Sequence, residues 1–597
     1  MRLSVLVFIA AVALAPAWVR AGEVPDNDPR TGADLLPAST VIFTEVAAPA
    51  EAIRTVTRHP LWERIERLHA YEEGLGGLKL VPLRIGVAFV ELQLGMKWDD
   101  ALAALTERGV WTAVNGPEQG NLVLVKARDA KTLGKIRDVL LKLATEDAKK
   151  KKEPPPFEEE QYRDITVYKA KGGGGGFTTI GPWLVIGNKA ELGKAVIDNL
   201  LDGKAGGLAE EPAFQAARKQ LPKPPTVWAY TNIRMIRDAG VAPKVYSGRA
   251  DDPGGELLVG GILEALKSAD YSVTTLDLTR DGLAFQVGLP CDAGGISEQR
   301  EYYFGPKGTG VSPALPKLDG LLFGLGSYRD ISQMWLRAGD LFDEGMNEKL
   351  AQADSQLATL FSGKDFGEDI LGAFAPQVQF LATRQTFSDS GPRPAIKLPA
   401  FAIAFEMKDP EASRRELRRI FQSFIGFLNV VGAMNGQPQL ELDMEKGETF
   451  ELVTSSYIPE KGEEQSAEAK IQFNFSPTVG FREKRFVLAS TRQLARDLAS
   501  CEASAAAETA NTIATLNAPV LREVLNDNLA HLVSQNMLKE GQTRQEAEHK
   551  IDDLLTILGF FRGAAFDLKL SEGQLRAGLQ LRFSEAPKPA VEKSAAK

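Results

Sequence analysis

The sequence predicts an α+β protein made of two duplicated modules of mostly antiparallel sheet packed by helices. Three observations predict it. Strand-like and helical apolar patterns alternate along the chain. Several strand pairs are joined by tight turns, which make antiparallel neighbours, whereas parallel ones need a crossover. Six landmarks also recur in one order, about 280–300 residues apart. Thr40-Val41-Ile42-Phe43 answers Gly320-Leu321-Leu322-Phe323, and Trp98-Asp99-Asp100-Ala101-Leu102 answers Phe366-Gly367-Glu368-Asp369-Ile370. Leu122 to Val125 with Asp129-Ala130 answers Phe401 to Ala404 with Asp409-Pro410. Trp183 to Leu192 answers Arg485 to Leu494, Thr231-Asn232 answers Leu516-Asn517, and Leu276 to Gly282 answers Phe566 to Gly573.

Each element has a local reason. Arg2, the apolar run Leu3 to Leu14, Pro16 and the Val19-Arg20-Ala21 step read as a secretory signal over 1–21, cleaved after Ala21. The run is shorter than the ~20 residues a bilayer span needs. The first module is expected over 22–310. Val41 to Val46 alternates as a strand, and Pro49-Ala50-Glu51 opens a helical pattern through Ile53, Val56, Leu61, Ile65 and Leu68. Ala101, Leu102 and Leu105 give a short helix stopped by Gly109. Val110 to Val114 and Leu122 to Lys126 read as strands. Asp129 caps a helix bearing Leu133, Ile136, Val139, Leu140 and Leu143. Lys149 to Lys152 and Pro154 to Pro156 read as a solvated loop. Ile165 to Lys169, the glycines Gly172 to Gly176 and Trp183 to Ile186 read as strand, turn and strand. Ala190 to Leu200 is helical, Val227 to Thr231 a strand and Leu257 to Leu266 a helix. Ser272 to Leu289 forms a hairpin turning at Asp281-Gly282. Cys291 to Leu318, rich in Gly, Pro and Ser, reads as the boundary. The second module, 311–584, adds helices over Asp340 to Ser362 and Asn517 to Leu558, and the 585–597 tail is expected to be disordered.

Composition narrows the function. The 597 residues are 44% hydrophobic and 25% charged, with a net charge of −9. That is a globular composition, and an acidic chain without basic clusters argues against nucleic acid as partner and against simple electrostatic binding to anionic lipid. Cys291 and Cys501 occupy non-corresponding places, so two separate thiols are expected rather than a disulfide scaffold.

No catalytic, cofactor-binding or metal-binding residue is predicted. His59 and His69 are ten apart, not at the i, i+4 spacing of zinc helices, His549 follows Glu546 and Glu548 in a charged helix face, and each of these and His531 reads as a surface histidine rather than a ligand. No G-x-S-x-G elbow or P-loop is present. Gly172 to Gly176 precedes a strand, so no helix dipole stands directly behind it and a hairpin tip is the better reading. The pairs Asp99-Asp100, Asp251-Asp252, Glu368-Asp369 and Asp552-Asp553 are adjacent residues, which point apart on a helix; Asp99-Asp100 and Glu368-Asp369 fit helix starts. Arg414, Arg415, Arg418 and Arg419, followed by Phe421, Phe424, Ile425, Phe427, Leu428, Val430 and Val431, would suit a helix at a bilayer surface. Core packing is favoured over membrane contact there, because the copy-one counterpart, Lys131 to Leu143, reads as an ordinary sheet-packing helix.

Leu36-Pro37-Ala38-Ser39-Thr40 followed by Val41 to Val46, with the later Trp98, Leu122 and Trp183 segments, resembles a group of uncharacterised exported bacterial proteins carrying a domain of unknown function. The resemblance implies export and supplies no catalytic residues. The expected function is that of a non-enzymatic envelope or periplasmic protein, with no cofactor, that binds or scaffolds a protein or envelope component. The alternatives are a carrier for an apolar ligand such as lipid, and an enzyme without a recognisable motif.

Overall fold

The computed structural model describes residues 24–74, 81–117, 119–173, 175–203, 207–221, 224–361, 363–388, 391–435, 438–459, 466, 469–501 and 510–584. The expected signal over 1–21 and tail over 585–597 lie outside the described residues. The chain divides into two compact units. Among the described residues, unit 1 comprises those of 24–241 and 269–288, and unit 2 those of 242–268 and 289–584.

Unit 1 runs β1 (Thr40–Val46), α1 (Pro49–Thr57), α2 (Val81–Leu94), α3 (Trp98–Thr106), β2 (Val110–Asn115), β3 (Gly120–Lys126) and α4 (Ala130–Lys151). There follow β4 (Phe157–Tyr162), β5 (Ile165–Ala170), β6 (Gly176–Ile180), β7 (Trp183–Gly187), α5 (Ala190–Asp202) and α6 (Pro212–Lys219). It ends with β8 (Val227–Asn232), β9 (Tyr271–Thr279) and β10 (Gly282–Pro290). The strands lie in the order β4-β5-β6-β7-β3-β2-β1-β8-β9-β10, all antiparallel.

Unit 2 contains α7 (Pro253–Ser268), β11 (Leu321–Tyr328), α8 (Glu344–Leu360), β12 (Phe374–Thr383), β13 (Ala400–Met407), α9 (Pro410–Met434) and β14 (Leu440–Lys446). It continues with β15 (Glu451–Tyr457), β16 (Thr478–Arg482), β17 (Arg485–Ala489), α10 (Arg492–Ser500), β18 (Thr512–Asn517) and α11 (Ala518–Asn526). The last elements are α12 (Leu529–Glu540), α13 (Arg544–Leu558), β19 (Phe561–Ser571) and β20 (Gln574–Phe583). Its strand order is β14-β15-β16-β17-β13-β12-β11-β18-β19-β20, again antiparallel throughout. Position for position, this is the order of unit 1.

Helices cover both faces of each sheet, not one. On β3, Leu122 and Leu124 point into a core shared with Leu192, Val196 and Leu200 of α5. Val125, and Val123 more loosely, pack on the other side against Leu133 and Ile136 of α4 and Leu94 of α2. On β13, Ala402 and Ala404 meet Leu494 and Leu498 of α10, while Met407 meets Leu417, Phe421 and Ile425 of α9. Strand alternation produces this directly, since successive side chains leave opposite faces.

The same chemistry starts the same helix in both units. The Asp129 carboxylate accepts from Thr132 N at 2.6 Å, and Asp409 accepts from Glu411 N and Ala412 N, so each caps the helix after the central strand. The terminal hairpin of unit 1 turns on Arg280 and Asp281, with Gly282 already paired to Thr279, one residue earlier than the Asp-Gly pattern placed it. The glycine run joins β5 to β6, and β6 itself then turns into Trp183–Gly187. The intervening β6 strand is therefore the partner across the glycines. Lys149 to Lys151 extend α4 rather than starting a loop.

A cut at residue 310 does not follow the compact units. Residues 301–304 form a short helix in which Tyr302, Tyr303 and Phe304 are buried, inside the segment that composition marked as a boundary. They pack on α7: the Tyr303 hydroxyl donates to Leu258 O at 2.7 Å. Gly261 offers them a bare backbone, where a Cβ would stand 2.4 Å from the Tyr303 ring. α7 and residues 289–310 are thus held in unit 2.

Candidate interaction surface

Several of the titratable side chains singled out by the sequence are held by local structure. His59 Nδ1 accepts from Leu61 N at 3.2 Å, and its Nε2 lies 3.1 Å from Arg280 O. Asp99 and Asp100 stand in the first turn of α3, Asp99 within 3.5 Å of Arg58. Asp369 accepts from Asp365 N at 3.0 Å at the start of a π-helical turn, and Asp252 accepts from Gly255 N in the first turn of α7. Asp553 is buried on α13 beside exposed Asp552, and His531 is half-buried on α12. Both cysteines are free thiols. Burial pushes the Cys291 thiol up to about 11 and also raises Cys501.

Unit 2 holds a cavity of about 300 Å³ lined by Gln377, Gln379, Arg482, Lys484, Arg485 and Cys501. Its two guanidinium groups are committed. Arg482 donates to Ser500 O and Cys501 O at 2.8 and 2.9 Å, and Arg485 to Leu498 O and Cys501 O at 2.8 and 3.0 Å. They cap the C-terminal carbonyls of α10, where positive charge is favoured.

Unit 1 holds a cavity of about 230 Å³ between the glycine hairpin and α5, lined by Tyr162, Val167, Phe177, Val185 and Ile197 with lysines at its rim. The glycine run does therefore meet a helix N-terminus in space, though not in sequence. Lys169 nevertheless pairs with Glu160, and Lys194 lies over the Tyr162 ring at 5.4 Å. The glycines serve the fold: Gly172, Gly173 and Gly175 have positive φ, and a Cβ on Gly175 would lie 2.4 Å from Gly187 O.

The exposed apolar side chains are more informative. The 25-residue α9 buries Leu417, Phe421 and Ile425 against the sheet. Core packing accounts for only that face. Phe424, Phe427, Val430, Val431 and Met434 are 40, 54, 63, 37 and 82% exposed. No charged residue stands between Ile420 and Asn435. A helix apolar on all sides is ordinarily covered on all sides. Next to it, Asn429 bonds Leu440 N and O at 2.7 and 2.8 Å, tying α9 to β14, the terminal strand with a single partner. Leu442 and Met444, on the Leu440 face by alternation, are 40 and 45% exposed. The acids of β14 point the other way, where Glu445 takes Arg492 and Arg496 of α10.

The counterpart α4 ends differently. Its last turns carry Lys142, Glu146, Asp147 and Lys149 to Lys151, a solvated ending. Unit 1 exposes apolar groups elsewhere, at Phe89 and Leu92 of α2 and at Trp98, but Glu91, Lys97 and Asp99 interrupt that surface with charge. Of these two surfaces, the α9 stripe is the uncharged one. Its sequence signal was the Phe-rich run after the four arginines; that its second face is uncovered is visible only in the fold.

Residues 99–382 match the model of a family described as a protein of unknown function, DUF3352. The match does not reach Leu36 to Thr40. No curated protein matches the sequence. Among solved structures, crystal form I of TP0453 aligns over 44% of this chain and 80% of its own at 9% identity, with a TM-score of 0.23. Crystal form IV aligns over 49% and 90% at 10% identity, with a TM-score of 0.24.

Proposed function

We propose that this chain is an exported, non-enzymatic protein of the periplasm or cell envelope that engages an envelope partner through unit 2. The observation that carries this is the uncovered apolar face of α9, a surface that the equivalent helix of unit 1 lacks. Contiguous exposed apolar surface on a folded protein marks a contact site more often than a free surface. The two units read as copies of one ancestral module. Their identical strand order and the matching caps Asp129 and Asp409 support this, and the divergence of α9 from α4 then locates what was gained. A ligand-carrying role has less support, because both cavities lie at or below the ~300–1,000 Å³ of small-molecule sites.

The test places a photo-crosslinking side chain at position 427, and another at Leu538 of α12, an exposed control, in the cell that makes the protein. Reproducible adducts with one envelope component from position 427 alone are expected. Adducts equal at both positions would overturn the reading. So would turnover of a hydrolase substrate that a single change of Asp, Glu, His or Ser abolishes.

A further inference from the structure

We infer that the partner of the α9 face is the surface of a lipid bilayer, into which Phe424, Phe427, Val430, Val431 and Met434 insert with the helix lying flat. The inference rests on the partner-binding reading above and names the partner. The decisive feature is what the face lacks. Between Phe424 and Met434 the only polar side chain is Asn429, whose Nδ2 donates to Leu440 O and whose Oδ1 accepts from Leu440 N; the exposed Ser423 stands just before the stripe. Asn435, at the helix end, donates back to Val431 O at 2.9 Å. Protein interfaces carry roughly one hydrogen bond per 100–200 Å². From Phe424 to Met434 this stripe offers a partner little side-chain hydrogen bonding, a match for hydrocarbon, which makes none.

The charges agree. Arg415 and Arg419 are exposed on the turns just before Phe424, Arg419 in an exposed pair with Glu416 at 2.8 Å. Arg414 and Arg418 are turned to Glu483 O and the Glu451 carboxylate. Arginine beside an apolar stripe, at headgroup level, is the pattern of helices that lie in the interface. No helix among the described residues is long and apolar enough to cross a membrane, so the contact is interfacial rather than spanning.

The full chain is floated with vesicles of phosphatidylethanolamine and phosphatidylglycerol, and separately with phosphatidylcholine alone. Three forms are compared: the natural chain, Phe427→Asp with Met434→Asp, and Leu538→Asp. Both aspartates of the double variant fall at exposed positions, so it folds; circular dichroism and an unchanged melting temperature verify that. Binding to both vesicle types, stronger with the anionic lipid and weakened about tenfold or more by the double variant only, is the expected result. Vesicle binding unaffected by the double variant would overturn the inference. If the chain ignores vesicles yet self-associates through a contact that the double variant breaks, the bilayer is excluded and a second copy becomes the partner. The functional reading then stands while this inference falls.

Discussion

The Arg300 guanidinium and the Glu256 carboxylate form a fully enclosed ion pair in unit 2, with side-chain exposures of 4 and 0%. Arg300 also donates to Gly248 O, and the Tyr302 hydroxyl donates to Glu256 Oε1 at 2.6 Å. The pair fastens the 300–304 segment to α7.

Removing one member should cost far more than removing both. Glu256→Ala leaves the buried guanidinium with only the half-exposed Glu264 carboxylate, 3.8 Å away, and loss of the enclosed partner costs about 3–5 kcal/mol. Glu256→Leu combined with Arg300→Met should recover much of that loss. Urea denaturation of the three proteins measures it; a single variant as stable as the parent would remove the pair from the account of unit 2.

Two glycines on helices should respond to alanine with opposite signs. At Gly261 the new methyl meets the rings of Tyr303 and Phe304 at 2.4 and 2.7 Å, in a packed core that cannot retreat. Overpacking costs about 1–3 kcal/mol, more than the gain in helix propensity. At Gly134 of α4 nothing lies within 4 Å, so Gly134→Ala should stabilise by roughly 0.5–1 kcal/mol. Melting temperatures of the two variants, moving apart from the parent, are the readout.

Asp28 gives unit 1 an acid limb. Burial works to raise its carboxyl, but hydrogen bonds from the Arg30 side chain and backbone and from Trp183 Nε1 outweigh this and hold it below the ordinary carboxylate value. A depressed value in the folded state means stability that is present in full above the unfolded value of ~3.9 and lost as pH falls through the lower folded one. Asp28→Asn should therefore cost about 1.5–3 kcal/mol at neutral pH. Its deficit should shrink below ~pH 4, as denaturation curves collected across the acid range would record.

Cys291 and Cys501 should be dispensable. Neither is bonded to another sulfur, and burial keeps both thiols protonated at neutral pH. Changing both to Ser should leave the melting temperature nearly unmoved, against the ~2–5 kcal/mol of a lost disulfide. Iodoacetamide should label them slowly until the chain is unfolded.

The legible parts of the fold were those with a local cause. Asp129 and Asp409 announce their helices because a capping carboxylate acts within three residues. The short continuous apolar run Leu122 to Val125 marks a strand for the same reason. What stayed hidden depends on distant partners. The helix Val81–Leu94 and the strand Phe157–Tyr162 have weak patterns; the Phe157 strand is set by its pairing with Ile165–Ala170. Residues 301–304 sit among Gly, Pro and Ser, and only Glu256 and Gly261, some forty residues back, explain their burial. The α9 surface was half legible: the Phe-rich run was visible, but which of its faces the sheet would take was not.

The residues that begin the described chain carry a consequence for timing. Asp28 O and Arg30 O receive the Lys126 ammonium, Asp28 Oδ2 receives Trp183 Nε1, and Arg30 donates to Asn199 O and Leu200 O. That last contact closes a loop of 170 residues. Segments joined over such separations come together late, after local hairpins and helices have formed. Residues 28–30 are therefore latched by later parts of unit 1, in steps at Lys126, Trp183 and Leu200, and are not fully fastened until about residue 200 has been made. Until then, whatever handles the growing chain meets these residues with part of their partners missing.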